Sequence, residues 1–443
     1  MTIHKKQRWM LMQCSKCNQK VNPEDKFCMY CGNNLENDGA TYSEEAQTTS
    51  VPHCPSCHAE VNPDDKFCMQ CGFNLATASN TNFSHTESLE NQTKENVSLA
   101  DEAKQLFNNT TKSIGRMAGN EESLNLNLRD MFSEVFKSHS REEADRIFIA
   151  GTKETTPALK DVSNEWGRPW LFSRVFAAMA ITFILLWVMA TSFENENAIP
   201  GLIFIGALTV PLSGLFFFYE TNAFKNISIF EVLKWFFIGG VFSLLVTLFL
   251  YNFVSFSEEA EVFGLMTLTD AISIGIVEEL GKAIIIIIIV NMSKTNKILN
   301  GLLIGAAIGA GFAVFESAGY ILKFGLFTQG DFMNMIILRA WTGLGSHLVW
   351  AAIVGAAVVI AKSEVKFEFN NIVDPRFLFF FFASVILHAI WDVNITFLGS
   401  YNLKIIILIV LGWLLVFILM KAGLNQVNTL QNTINEEIYE NEK

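Results

Sequence analysis

Acids and bases stand inside runs that are otherwise apolar: Glu278-Glu279-Leu280-Gly281-Lys282, Phe312 to Glu316, His347, and His388 to Asp392. An ionisable side chain at the middle of a bilayer costs roughly 3 kcal/mol even on mild insertion scales, so such groups face one another or water and mark functional sites.

That reading requires the runs to be transmembrane. The chain is 51% hydrophobic with 39 Phe, and the apolar excess is confined to residues after about Pro169. There the runs reach the roughly 20 residues that a spanning helix needs. Breaks at charged, Gly, Asn and Pro positions divide them into eight spans, at 171–193, 199–219, 232–254, 264–291, 302–323, 333–361, 376–398 and 403–421. The long sixth span is expected to tilt or to break near Gly343-Leu344-Gly345. The predicted fold class is an all-α polytopic membrane protein, preceded by two small zinc ribbons and a flexible linker.

All eight Cys lie near the N-terminus, in two similar units. Cys14, Cys17, Cys28 and Cys31 form the first (12–35), and Cys54, Cys57, Cys68 and Cys71 the second (52–75); Val-Asn-Pro-x-Asp-Lys-Phe-Cys-Met recurs in both. Two Cys-x-x-Cys knuckles per unit bring four thiolates to one tetrahedral Zn²⁺, so two structural zinc ions are expected. Units this small bury too little to fold without metal. They resemble double zinc ribbons. Lys16, Lys20, Lys26 and Lys66 are offset by Glu24, Asp25, Asp64 and Asp65, and the whole chain carries −12. This excludes a basic nucleic-acid footprint, and the ribbons' expected partner is a cytoplasmic protein.

Residues 76–125 have the polar composition of a disordered linker. Residues 126–165 return to helical spacing at Leu128, Met131, Phe132 and Val135, which predicts a juxtamembrane helical segment packed on the membrane domain of residues 166–425. Trp166 and Trp170 suit an interfacial belt. Residues 426–443 read as a polar C-terminal tail.

Counted from the cytoplasmic end of each span, Glu278, Glu279, Glu316, His347, His388 and Asp392 share one depth, roughly 18–24 Å in at 1.5 Å per residue. Glu278 with Lys282, Phe312 with Glu316, and His388 with Asp392 are i, i+4 pairs, each on one helix face. The order EExxK, FxxxE, lone His and HxxxD is similar to the PrsW family of intramembrane proteases, distant relatives of the CAAX prenyl proteases. Those relatives carry Arg, His and Asn where this chain has Lys282, Glu316 and Asp392, which speaks against prenyl-protein processing. The resemblance implies endoproteolysis of a membrane-anchored or membrane-proximal protein, such as an anti-sigma factor.

Peptide hydrolysis needs an activated water, a stabilised oxyanion and a proton for the leaving amine. Adjacent helical residues diverge by about 100°, so Glu278 and Glu279 cannot both face one point. The expected assignment makes Glu279 the water-activating base and Glu278 the partner of Lys282, although the sequence leaves the two interchangeable. Glu316 shares the proton or the water, His347 and His388 donate to the oxyanion, and Asp392 fixes a histidine tautomer. Lys282 and Phe312 support the site. Arg339 is expected to snorkel to head groups. Gly301, Gly305, Gly309 and Gly311 predict close helix packing. The same Glu and His set also describes a metal centre, with metal-bound water as nucleophile. Two readings from other classes are a proton or metal transporter-sensor and a non-catalytic scaffold. The first is opposed by the absence of a visible inverted repeat, and the second by the number of costly buried groups.

Arg168, Arg174, Lys294, Lys297, Lys362, Lys366, Arg376 and Lys421 flank alternate ends of the spans, while loops 194–198 and 257–261 carry only acids. The positive-inside rule then predicts a multi-pass plasma-membrane protein with both termini cytoplasmic. Cysteine placed at Asn197 or Ser257 should react with an impermeant maleimide on intact cells, and cysteine at Thr295 only after permeabilisation. The opposite pattern would refute this orientation.

Overall fold

The computed structural model describes residues 12–13, 20–21, 99–258, 266–328, 332–362, 366–396 and 399–441. It divides into two units, residues 1–95 and 96–443. In the first, β1 (Met12–Gln13) pairs antiparallel with β2 (Lys20–Val21), the two flanking the first Cys-x-x-Cys in sequence. The cysteines themselves, and so the geometry of both ribbons, lie outside the described residues.

The second unit is helical. Seven helices are long and apolar enough to cross a membrane, among them α4 (Leu171–Thr191), α5 (Ile199–Thr221) and α6 (Ile229–Tyr251). An eighth, α7 (Leu268–Ser293), has 26 residues and carries Glu278, Glu279 and Lys282, the charges that interrupt its apolar stretch. Then follow α8 (Ile298–Thr328), α9 (Phe332–Thr342), α10 (His347–Ala361), α11 (Pro375–Asp392) and α12 (Tyr401–Asn441). The expected sixth span is thus α9 and α10, broken at residues 343–346. The apolar stretch of α8 is 94% buried whereas that of α4 is 6% buried, which puts α8 at the centre and α4 at the lipid-facing periphery.

The α8–α10 contact is the most extensive in the molecule, and glycine sets it. A Cβ on Gly301 would strike the Gly355 backbone, one on Gly305 that of Ala351, and one on Gly309 that of His347. Each step of four along α8 matches a step of four back along α10, as an antiparallel pair with small residues at the seam requires. Beyond the seam, Arg339 of α9 also reaches α8, its Nε donating to Ser317 Oγ at 3.1 Å.

Two differences from the sequence reading concern polar segments. Residues 99–117, inside the expected disordered linker, form α1 (Leu99–Met117), whose Ile114 and Met117 pack against the core and which touches α12. Burial of its last turns outweighs a polar composition. The expected tail continues α12 as helix to Asn441. Gln431 there donates to the carbonyls of Leu159 and Val162, and the Gln426 carboxamide oxygen accepts from the amide of Ile298. The segment ahead of α4 packs on the membrane domain through α2 (Leu128–Met131), α3 (Arg141–Phe148) and the Tyr219 hydroxyl, which donates to the Ile147 carbonyl at 3.1 Å.

Gly305→Val should lower stability by about 3 kcal/mol, since neither neighbouring backbone can retreat. Gly319→Ala, where a Cβ meets nothing within 4 Å, should gain about 0.5–1 kcal/mol. Thermal unfolding in detergent distinguishes the two.

Candidate active site

Helix α7 starts firmly. Thr267 and Asp270 form a reciprocal capping box, and Asp270 also accepts from the amide and hydroxyl of Ser257 at 2.9 and 2.6 Å. Three turns on, Glu278, Glu279 and Lys282 enter the bundle centre, where they meet Glu316 of α8, His347 at the first position of α10, and His388 and Asp392 in the last turns of α11. All the acids and bases singled out in the sequence converge here.

Lys282 is fully buried. Its Nζ lies 2.7 Å from Glu279 Oε1 and 2.8 Å from His347 Nδ1, with the Phe312 ring centroid 4.4 Å away. Glu279 Oε1 also accepts from His388 Nδ1 at 2.9 Å. Since an ammonium only donates, His347 Nδ1 is the acceptor, and Nε2 carries the proton that reaches Glu316 Oε2 at 3.0 Å. The pairing reverses the expectation, because Glu278 Oε2 stands 4.0 Å from Lys282.

Glu278 faces open space instead. Its Oε1 accepts from the Tyr251 hydroxyl at 2.9 Å. Its buried Oε2 has no hydrogen-bond partner among the described residues. That oxygen lies 3.7 Å from His388 Nε2 and 3.9 Å from His347 Nδ1. The same His388 Nε2 is 3.2 Å from Asp392 Oδ2. Trp350 stacks on His388 with centroids 4.4 Å apart and meets His347 edge-on at 5.2 Å, fixing both rings. These groups border a polar cavity of about 130 Å³.

Arg339 does not snorkel. It forms an ion pair with Glu316 and lies over the Tyr320 ring at 4.9 Å. Glu316 and Arg339 are 23 residues apart across one helical hairpin. An intramembrane arginine needs an intramembrane carboxylate, and that was the available signal. Tyr251 had no such signal, since an aromatic residue at a span's end is ordinary.

Donor atoms of Glu278, His347 and His388 lie within 4.8 Å of one another, close enough to surround one metal ion. The set fits a divalent cation of zinc type: one carboxylate and two imidazoles, an orphaned carboxylate oxygen, and a second carboxylate behind His388 Nδ1. Coordination by His347 would require it to give up Lys282 or Glu316.

Residues 229–420 match the family described as PrsW family intramembrane metalloprotease, and residues 14–72 match the double zinc ribbon. The chain is 26% identical over 233 residues to Protease PrsW of Clostridioides difficile (strain 630), covering 52% of this chain and 92% of that protein. No solved structure matches.

Breaking the Lys282 hub should unfold the centre. Lys282→Met should cost about 3–5 kcal/mol by leaving Glu279 charged and unpaired, and adding Glu279→Gln should restore part of the loss. Additive losses in denaturation of the two single variants and the double would refute the hub.

Proposed function

We propose how this PrsW-family intramembrane protease with an N-terminal double zinc ribbon cuts its substrates: Glu278, not Glu279, is the carboxylate that activates water. The observation that carries the reading is the unpartnered Glu278 Oε2, buried yet bordering the polar cavity. A buried carboxylate oxygen without a donor is costly, and a water at that oxygen supplies one. Tyr251 holds Oε1, so Oε2 is the oxygen presented to the water and receives its proton. Glu279 Oε1 is occupied by Lys282 and His388 and serves to position both; its Oε2 is also unpartnered, but Glu279 does not border the cavity.

Attack on a peptide carbonyl places negative charge on its oxygen. The His388 ring, held by Glu279 on Nδ1, borders the cavity with Glu278, and its Nε2–H, which lies 3.2 Å from Asp392 Oδ2, turns from that carboxylate to donate to the developing oxygen. Glu278 then passes its proton to the leaving amine. Glu316 and Arg339 fix His347 from behind. A membrane-anchored or membrane-proximal protein is the substrate class, and a membrane-anchored regulator of the anti-sigma-factor kind fits it. Zinc in the two four-cysteine sites is structural and gives the ribbons a fold for docking a cytoplasmic protein.

The convergent donors of Glu278, His347 and His388 favour a second reading, in which the same centre holds a metal ion. A bound zinc would lower the pKa of its water to about 7. Glu278 would then be a ligand, and the acceptor of the proton would be Glu316 or Asp392.

Glu278→Gln should lower cleavage of membrane proteins roughly a hundredfold or more, with insertion unchanged. Wild-type turnover in this variant would remove the mechanism. Metal content of the purified full chain divides the two readings: one ion fewer per chain in Glu278→Gln and in His388→Ala establishes the metal centre, and an equal content in all three establishes carboxylate catalysis.

A further inference from the structure

The polar cavity at Glu278 has room for water and the reacting bond, but little for the side chains beside that bond. A second and larger space adjoins it. This groove, of about 360 Å³, lies between α6, α7 and α8 and shares Tyr251, Ile274, Glu278, Glu316 and Tyr320 with the cavity. Apart from that shared wall it is mostly apolar, lined by Leu244, Leu248, Phe256 and Phe312, with the hydroxyl of Thr247 among them.

Two features set its orientation. Ile274 stands one turn before Glu278 on the same face of α7, so the groove begins where the catalytic oxygen ends. At its other end, Leu248 is 63% exposed on the outward face of α6, beside the exposed Leu245 and Phe249, where lipid would stand. Tyr251 forms the divide: its hydroxyl holds Glu278 at 2.9 Å while its ring, 5.7 Å from that of Phe256, walls the groove.

We propose that the groove is the subsite for one large apolar side chain of the substrate, next to the scissile bond, and that Leu244 and Leu248 determine its size. This rests on the protease reading above. A peptide bond brought to Glu278 must place its flanking side chains in the adjoining space, and this groove is an apolar space continuous with Glu278. Its walls away from Glu278 and Glu316 offer Leu, Phe, Ile or Met a transfer free energy that polar side chains lack. An extended segment leaving the bilayer past Leu248 enters without crossing the charged centre.

Profiling of protein ends in membranes of cells carrying the full chain tests the subsite, with Glu278→Gln as the uncleaved reference. Among ends that require Glu278, one position beside the cut should hold Leu, Ile, Phe or Met at roughly tenfold enrichment over Ala and Gly. Leu244→Trp, which fills the groove, should shift that position to Ala, Gly and Ser; Leu248→Ala, which widens it, should shift it toward Phe and Trp. An unchanged residue distribution in the Leu248→Ala chain, with cleavage still dependent on Glu278, overturns the subsite and leaves the protease reading intact. If no ends are lost in Glu278→Gln, the protease reading itself fails and the subsite with it.

Discussion

A single buried ammonium organises this membrane domain. Lys282 reaches Glu279 on its own helix and His347 on α10, and Glu279 in turn holds His388 on α11. Three helices that carry the chemistry are therefore joined through one nitrogen. Desolvating Lys282 is costly, and two acceptors with an aromatic face beneath them are what make it tolerable. The outcome is geometric. With Glu279 fixed to the hub, the neighbouring Glu278 is rotated by about 100° around α7 and can only look into the cavity. The division of labour between adjacent carboxylates thus follows from where one lysine finds its partners.

The hub works only if α10 stands at the right height beside α8, and the glycine seam provides this. Gly309 lies against the backbone of His347, two turns below Glu316 on α8, which is the offset that lets His347 Nε2 reach the Glu316 carboxylate. On the other side of the break at residues 343–346, Arg339 reaches Ser317, one residue past Glu316. The break frees His347 to begin a helix facing the site while Arg339 ends the preceding one. Close packing by small residues and the ion pairs of the centre are thus one register expressed twice.

Much of this was legible in the residues. Intramembrane charges named the site, their i, i+4 spacings named the helix faces, and Gly343-Leu344-Gly345 marked the break. What sequence periodicity lacks is rotation about the helix axis. It shows that Glu278 and Glu279 diverge but not which one turns to Lys282, since that depends on where His347 and His388 stand. Arg339 was misread because its partner is on another helix, and Tyr251 because its hydroxyl meets Glu278 only after α6 packs on α7. In the polar segments the error ran the other way: α1 and the end of α12 are weak helix formers by composition and are ordered by each other and by the juxtamembrane chain.

Charge balance gives the centre its chemical bias. Glu278, Glu279 and Glu316 face Lys282 and Arg339 as fixed cations and Asp392 has Lys404 nearby, with His347 and His388 able to carry a proton or ligate a cation. Glu279 and Glu316 are the two that the cations hold closely, and Asp392 is paired with His388. Two site carboxylate oxygens among the described residues are buried and bare of donors, Glu278 Oε2 and Glu279 Oε2, and of the two residues Glu278 is the one that borders the polar cavity. Whatever satisfies it, a water's hydrogen or a metal ion, is brought to the spot where a hydrolytic nucleophile is needed. In the proposed mechanism, the deficit that would be a liability in an inert helix bundle is the means of drawing water into the bilayer and pointing it at a peptide bond.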